Sequence, residues 1–336
     1  MKHSLTIVDV SHGNCAILED GDKVVVFDAA SGASLLQYLE KENISTVDAV
    51  FISHSDEDHI SGLVALLASG SIDVTEVHLN PDAAKNSRIW GDLVKLLDQA
   101  HCSGKTKVFT SIVSGRVETE TLERSTVEIL SPSRSLALKG AGSRDEDERK
   151  ITSNSMSAVF RILWEGHPTV LLCGDMDQVT LKDIVRHSCD LSCDFLVFPH
   201  HGGNPGTSGD VALLRFIELL CNSAKAKTIL FSNGRGKHDN PRPDVIAGVR
   251  RLTAGVEIMC AQLSQRCSAD APRAIGHLSE RFSAGAEKNA CCSGSVTIDL
   301  SASQIDRPAR TAHLNFVRNL PSPLCIPAVS VHEKLV

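Results

Sequence analysis

The segment FISHSDEDHISGL, residues 51–63, gathers two imidazoles and several carboxylates directly after a short apolar run. His54, Asp56, Asp58 and His59 lie within six positions of one another. Imidazole nitrogens and carboxylate oxygens are common protein ligands of divalent metal ions. The residue types and their spacing therefore indicate a metal site at the carboxyl end of a buried strand.

Polar side chains also follow three other apolar runs. These are Asp28, Asp175 and the pair His200 and His201. Because the carboxyl ends of sheet strands in α/β proteins face a common crevice, groups that are distant in sequence can meet there. A solvated charged loop or a structural histidine is the alternative for any single group. The recurrence after four apolar runs favours one shared site.

The elements that must hold these residues alternate between strands and helices. The first 30 residues predict a meander of three short strands, and a helix, a buried strand and another helix follow. A second series of strands and helices begins near residue 155. Two halves with a similar order of elements predict an α/β protein with two face-to-face sheets covered by helices, an αββα sandwich. Helical spacing is also present at 84–102, and strand patterns at 107–132, 256–262 and 294–300.

Composition restricts the classes of function. The chain has 336 residues, a net charge of −7 and only 4% aromatic residues. An acidic balance argues against a protein that coats nucleic acid by phosphate contacts alone, although an enzyme can be basic around its site only. Residues 133–150 are charged and contain Gly and Ser, which predicts a mobile loop. A secretory signal and an apolar run of about 18 residues are not found in the sequence, so we expect a cytoplasmic protein.

The stretch SHSDEDHISGL resembles the metal-binding signature of the metallo-β-lactamase superfamily, His-x-His-x-Asp-His, with Asp56 at the second His. VDVSHGNCAILED lies before it, and LLCGDMD, VFPHHGG and FSNGRGKHDNPRPDV follow. Over about residues 4–250, this order is similar to the hydrolase domain of ComEC-type competence proteins. The membrane channel of those proteins has no counterpart here, as expected for a free-standing relative.

The resemblance implies a centre of two divalent metal ions, Zn²⁺ or Mn²⁺. One ion is expected on the first half of the signature, one on the second half, and the bridging carboxylate between them is Asp175. Either His200 or His201 completes the second site. The expected metal ligands are His54, Asp56, Asp58, His59, Asp175, His200 and His201.

Further roles follow from the same resemblance. Asp28 is expected to hold the metal-binding loop without binding metal itself. The candidate catalytic residues are Asp58, His201 and His238, the last two as alternatives for the proton donor. Charged side chains next to His238 are candidates for contacting phosphate oxygens, with ordinary solvated loop charges as the alternative; they are Arg235, Lys237 and Arg242.

Two positions depart from the superfamily pattern. Asp56 replaces an imidazole, and Asn154 or Ser155 stands where a further His is usual. Oxygen ligands suit Mn²⁺ or Mg²⁺ better than a His-rich site does. We therefore expect Mn²⁺ to be at least as suitable as Zn²⁺, with a weakly held first ion.

The resemblance predicts a hydrolase domain at 1–255 and an extension at 256–336 that completes or packs on the sandwich. The expected function is that of a phosphodiesterase or nuclease acting on DNA or RNA. The expected substrate is a phosphodiester, and a protein partner in a larger system is also expected. One alternative is a small-molecule hydrolase acting on an ester, a lactone or phosphorylcholine. Another is a degenerate subunit that keeps the fold without the activity.

Cysteines are concentrated near the carboxyl end. In a reducing compartment they are thiols or metal ligands rather than disulfides. A structural zinc site is one interpretation, although the spacings match no common zinc finger. Buried free thiols that pack as small apolar groups are a second interpretation. Disulfide pairing is a third, if the compartment is oxidising. The candidate zinc ligands are Cys260, Cys267, His277, Cys291 and Cys292.

Overall fold

The computed structural model describes residues 2–117, 122–187, 189–236, 238–253, 255–272, 277–278 and 281–326. Within these residues the strands, in chain order, are β1 (Lys2–Ile7), β2 (Ala16–Gly21), β3 (Lys23–Phe27), β4 (Thr46–Phe51), β5 (Asp73–His78), β6 (Lys107–Phe109), β7 (Gly115–Val117), β8 (Ser125–Ser131), β9 (Val159–Trp164), β10 (His167–Leu172), β11 (Phe195–Val197), β12 (Thr228–Phe231), β13 (Glu257–Cys260), β14 (Val296–Asp299) and β15 (Gln304–Ile305).

The strands form two sheets. The first has the order β15-β14-β1-β2-β3-β4-β5-β6, and the second has the order β13-β12-β11-β10-β9-β8-β7. The predicted meander is confirmed, because β1, β2 and β3 pair antiparallel. From β3 to β6 and from β10 to β13 the neighbours are parallel. Each parallel run sends its carboxyl ends to one edge of its sheet.

Helices cover the outer faces of both sheets. The apolar residues of α2 recur at helical spacing, with Ile60, Leu63 and Leu66 buried, and Gly70 in the left-handed conformation ends the helix. The helices are α1 (Ser34–Lys41), α2 (Glu57–Ser69), α3 (Arg88–Cys102), α4 (Arg134–Lys139), α5 (Gln178–Arg186), α6 (Asp210–Ala224), α7 (Pro243–Leu252) and α8 (Arg307–Arg318).

Three apolar clusters hold the layers together. The cluster between the sheets includes Phe27, Phe51 and Phe160, whose ring centroids lie 5.1–5.8 Å apart. A second cluster packs α1, α2 and α3 against the first sheet, and a third packs α5, α6 and α7 against the second. The predicted αββα sandwich is therefore confirmed. Within the described residues, none of the helices is both long and apolar enough to cross a membrane.

Residues 133–150 contain more regular structure than the predicted loop. The hydroxyl of Ser133 accepts the N–H of Leu136 and caps α4, and Asp145 accepts the N–H groups of Asp147 and Arg149 in a turn. The charged composition concealed this, because capping residues and turn carboxylates are also common in loops. The helix corrects the expectation of an irregular segment, whereas its mobility stays a prediction.

The residues after 255 contribute to both sheets. Strand β13 pairs with β12, and β14 pairs with β1 from the beginning of the chain. Residues 256–336 thus supply an edge strand to one sheet and two strands to the other. Hydrogen bonds of both sheets therefore cross position 255. The domain boundary there stays a prediction.

Candidate metal centre

The four polar groups found after apolar runs lie at strand ends in the folded chain. Asp28 follows β3, His54 follows β4, Asp175 follows β10, and His200 with His201 follows β11. Strands β3 and β4 are parallel, as are β10 and β11. Their carboxyl ends therefore open on the same side of the sandwich, and the two sheets contribute to one site.

Six side chains at this edge of the sandwich form two groups of potential metal ligands. The ligand atoms of each group lie within 4.8 Å of one another. The groups are His54, His59 and Asp175, and His12, Asp58 and His201.

Asp175 belongs to the first group and also faces the second. Its Oδ1 is 3.2 Å from Nε2 of His59 and 3.4 Å from Nε2 of His201. Its Oδ2 is 3.9 Å from Nε2 of His54. One carboxylate thus faces imidazoles from both groups, which is the arrangement that a bridging ligand requires.

Several buried ligand atoms have no hydrogen-bond partner among the described residues. An unpaired buried polar atom costs roughly 1–3 kcal/mol, so a set of them at one point needs a reason. A cation coordinated by these lone pairs would satisfy all of them together. The donor set therefore fits divalent metal ions; the unpaired atoms are Nε2 of His54, His59 and His201 and Oδ1 of Asp175.

The electrostatics keep the carboxylates ionised. Burial opposes the charged form of Asp58, but the adjacent imidazoles of His12 and His201 outweigh it and hold the pKa of this carboxyl well below its usual range. Burial opposes the charged form of Asp175 as well, and the charges of His201 and His59 again lower the pKa. Burial likewise lowers the pKa of His59, but the charges of Asp28 and Asp175 raise it well above the ordinary value. Anionic oxygens are thus present for a cation.

Asp28 contacts the metal-binding loop from behind. Its Oδ2 accepts a hydrogen bond from Nδ1 of His59 at 2.8 Å, and its Oδ1 accepts the N–H of Ser53 at 2.7 Å. The hydroxyl of Ser53 donates to Oδ2 at 2.8 Å. With Nδ1 donating to Asp28, Nε2 is the nitrogen of His59 that is left to bind a cation, and it points at Asp175. These contacts support the role expected for Asp28.

Asn154 and Ser155 occupy different surroundings. The amide nitrogen of Asn154 is 3.2 Å from Nδ1 of His200, close to Asp175. Ser155 instead donates to Asp177 at 2.6 Å, and Asp177 caps α5. Of the two, Asn154 is therefore the residue at the edge of the site, and an amide is a poorer metal ligand than imidazole.

His200 and His201 point to different atoms although they are neighbours. Nδ1 of His200 lies 2.9 Å from Oδ2 of Asp175, whereas Nε2 of His201 lies 3.3 Å from Oδ2 of Asp58. Both residues have φ near 55°, a conformation that is costly for residues with a side chain. The following Gly202 has φ 80°, and a Cβ there would lie 2.5 Å from Pro241. The loop thus directs the two adjacent imidazoles to different oxygens of Asp175, His200 to Oδ2 and His201 to Oδ1.

Two basic residues near His238 make contacts within the chain. Arg235 donates to the backbone carbonyls of Leu263, Ser268 and Ala269. Arg242 makes two hydrogen bonds to Asp244, at 3.0 and 2.6 Å. These guanidinium groups hold loops and a helix start, which favours the structural alternative for both, while their role as phosphate contacts stays a prediction. Lys237 lies outside the described residues. His238 itself is exposed, with its ring 4.8 Å from that of His12.

His12 is the site residue that sequence reasoning missed. Its Nε2 lies 3.2 Å from Oδ2 of Asp58, and its ring centroid is 4.6 Å from that of His201. A Cβ on Gly234 would lie 2.5 Å from the backbone nitrogen of His12, so the two loops pack closely. The available signal was the position of His12 shortly after β1, whose carboxyl end is on the same side as that of β3.

The candidate zinc ligands near the carboxyl end make several different contacts. The thiol of Cys291 lies 3.2 Å from Oδ2 of Asp9, and Nε2 of His277 is bonded to the backbone carbonyl of Cys292. Cys260, Cys267 and Cys292 belong to the apolar cluster of the second sheet. Within the described residues, the two groups of potential metal ligands do not include these side chains. Burial raises the pKa of the Cys291 thiol, so the interpretation as buried thiols agrees better with the structure.

Replacing Cys291 and Cys292 together by serine is expected to lower stability by about 1–3 kcal/mol, because two buried sites would have to accept more polar groups. The hydrolytic activity of the folded fraction should stay within about twofold of that of the unmodified protein, since neither thiol belongs to the two groups of potential metal ligands. Urea denaturation and turnover per folded molecule measure the two effects, with Cys102→Ser, an exposed cysteine, as the control. A stable double variant without turnover would contradict this separation.

A family model of the metallo-β-lactamase superfamily matches residues 8–187, more than half of the chain. The chain therefore belongs to the metallo-β-lactamase superfamily, a class of metal-dependent hydrolases, and the implied metals are divalent. The ComEC-type subgroup is not distinguished by this match. No curated protein matches the sequence.

Solved structures with a similar arrangement have low sequence identity. The metallo-β-lactamase fold protein YhfI of Bacillus subtilis has a TM-score of 0.46 at 17% identity, covering 77% of this chain and 96% of that chain. The metal-dependent hydrolase Tm1679 of the β-lactamase superfamily has 0.46 at 16%, covering 77% and 96%. The short form of human tRNase Z has 0.39 at 12%, covering 69% and 92%. At these values the similarities do not bear on substrate.

Proposed function

We propose that this protein is a phosphodiesterase or nuclease that acts on DNA or RNA with two divalent metal ions. The observation that carries the metal centre is the convergence of four unpaired, buried ligand atoms on Asp175. A degenerate fold without metal would be destabilised by this arrangement, since each unpaired buried polar atom lowers the stability of the folded chain. Phosphodiester chemistry rests on the resemblance to ComEC-type hydrolase domains and on the carboxylate content of the site.

The proposed ligands divide between two ions. His54, Asp56 and Oδ2 of Asp175 would hold the first, with His200 beside them. Asp58, His59, His201 and Oδ1 of Asp175 would hold the second, with His12 as a further imidazole. Bound divalent ions supply Lewis acids for phosphoryl oxygens and lower the pKa of water toward neutrality.

The proposed proton donor to the leaving alkoxide is His238. His201 is less suitable, because its Nδ1 faces the backbone carbonyl of Ser232 at 2.9 Å and its Nε2 faces Asp58 and Asp175. His238 is exposed, so one nitrogen can reach a substrate while solvent restores the proton. General acid catalysis of this kind contributes roughly 10²–10⁴-fold to the rate.

A cytoplasmic location and a protein partner stay predictions.

Metal-free protein is expected to recover phosphodiesterase activity better with Mn²⁺ than with Zn²⁺. Asp56 and Asn154 replace softer imidazoles at the first site, and excess Zn²⁺ should inhibit by occupying it. Asp56→His should shift the preference back toward Zn²⁺. The measurement is turnover of single-stranded DNA across a titration of each metal, with Asp92→His, an exposed position on α3, as the control.

The same assay distinguishes the proposed substrate from the alternatives. Duplex DNA, RNA, a phosphodiester dye, phosphorylcholine and a lactone would be tested with each metal. Turnover of the lactone or phosphorylcholine alone would replace a nuclease by a small-molecule hydrolase. Higher activity with Zn²⁺ that Asp56→His leaves unchanged would contradict the argument from ligand type.

A further inference from the structure

Asp56, the carboxylate that replaces an imidazole of the superfamily signature, is paired with a lysine. Nζ of Lys85 lies 2.5 Å from Oδ1 of Asp56. The two side chains are 24% and 30% exposed, so solvent screens this pair only in part. The other oxygen, Oδ2, lies 3.8 Å from Nε2 of His54. A positive charge thus already stands on the first proposed metal site.

The loop that carries Lys85 is anchored by a buried carboxylate. Oδ1 of Asp82 accepts the N–H groups of Ala84 and Lys85 at 3.0 and 3.1 Å. Its Oδ2 accepts the hydroxyls of Ser55 and Ser153 at 2.7 and 2.6 Å. Ser55 lies between His54 and Asp56, and Ser153 precedes Asn154. Asp82 therefore ties the lysine loop to both segments that border the first site, and the ion pair is part of the site's construction.

The two proposed sites differ in how free their carboxylates are. At the second site, the ion-pair partners of Asp58 within the described part of the chain are the imidazoles of His12 and His201. At the first site, Asp56 faces the ammonium group of Lys85. A metal ion that binds Asp56 must share the carboxylate with this ammonium or displace it, and two cations at one carboxylate repel each other. An amide, that of Asn154, stands nearby where a further imidazole is usual.

We propose that Lys85 is a built-in competitor for the cation of the first site and sets its affinity far below that of the second. The inference rests on the metal centre proposed above and adds the order of filling to it. The second site fills first. The first site fills only when the metal concentration is high enough to displace Lys85 from Asp56. Lys85 is then a positioning residue that acts through Asp56, without contact to the reacting atoms.

The experiment is calorimetric titration of metal-free protein with Mn²⁺ in the absence of substrate. The unmodified protein should bind one ion tightly and a second weakly. Lys85→Met should tighten the weaker ion by roughly tenfold or more, the equivalent of losing one ion-pair competitor. The tighter ion should change by less than about twofold. Lys85→Arg should behave like the unmodified protein, because it keeps the charge.

Lys107→Met is the matched control, because Lys107 pairs with Glu76 on the first sheet. It should leave both affinities unchanged. If Lys85→Met does not fold, as judged by circular dichroism, Lys85→Gln replaces it. Equal affinities for two ions in the unmodified protein would overturn the proposal, as would an unchanged weaker ion in the charge-removing variant. Since no substrate is present, a failed nuclease assay leaves this result intact.

Discussion

Alanine in place of Asp175 is expected to abolish hydrolysis, with a loss on the order of 10³-fold or more. Asp175 is the carboxylate that faces imidazoles of both groups, so its removal takes a ligand from each proposed ion. The fold should persist, because the residue belongs to none of the three large apolar clusters. Metal content, turnover and circular dichroism are the measurements.

Asp58→Ala should give a similar loss of turnover through the second site alone. The matched control is Asp194→Ala, which removes another buried carboxylate, paired with Lys227 at 2.7 Å and located before β11 rather than after it. It should lower stability but leave metal stoichiometry intact. Full turnover of Asp175→Ala or Asp58→Ala, after metal removal and reloading, would refute the two-metal centre.

Asp28→Asn is expected to weaken binding of the second ion by about 10–100-fold, the usual effect of losing the partner of a metal-binding imidazole. The carboxylate fixes the donor nitrogen of His59 and also holds the backbone N–H and hydroxyl of Ser53. An amide can satisfy the Ser53 contacts in part but does not favour a donor at Nδ1. Turnover should fall as well. Calorimetric titration of the metal-free variant with Mn²⁺ measures the affinity directly.

The chain offers a close control for this variant. Asp20 is also buried and also accepts from Nδ1 of a histidine, His3, at 2.8 Å. It lies at the far end of the first sheet's meander, at the β2–β3 turn rather than at the metal centre. Asp20→Asn should destabilise the fold without altering metal affinity. Equal metal affinities in Asp28→Asn and the unmodified protein would show that Asp28 supports the fold only.

The local sequence pattern was sufficient to predict the layers of the fold and one part of the site. Apolar runs of strand length and helical spacing predicted the sandwich, because a buried sheet and an amphipathic helix each impose a period on the sequence. The signature residues His54, Asp58 and His59 were recognisable for a related reason. They lie within one strand end and the first turn of α2, so their mutual arrangement is set locally. Strand-end position alone also selected Asp28 and Asp175.

The sequence by itself determined which segments are strands and helices and which strand ends carry ligands, because these depend on residues close in the chain. Only the tertiary structure decided which loops meet. It brought His12 to Asp58, placed Lys85 on Asp56 from 29 positions away, and turned Arg235 toward backbone carbonyls. It also directed His200 and His201 to different oxygens of Asp175. Pairings of this kind depend on how separate loops pack across the two sheets, and periodicity contains no information about that packing.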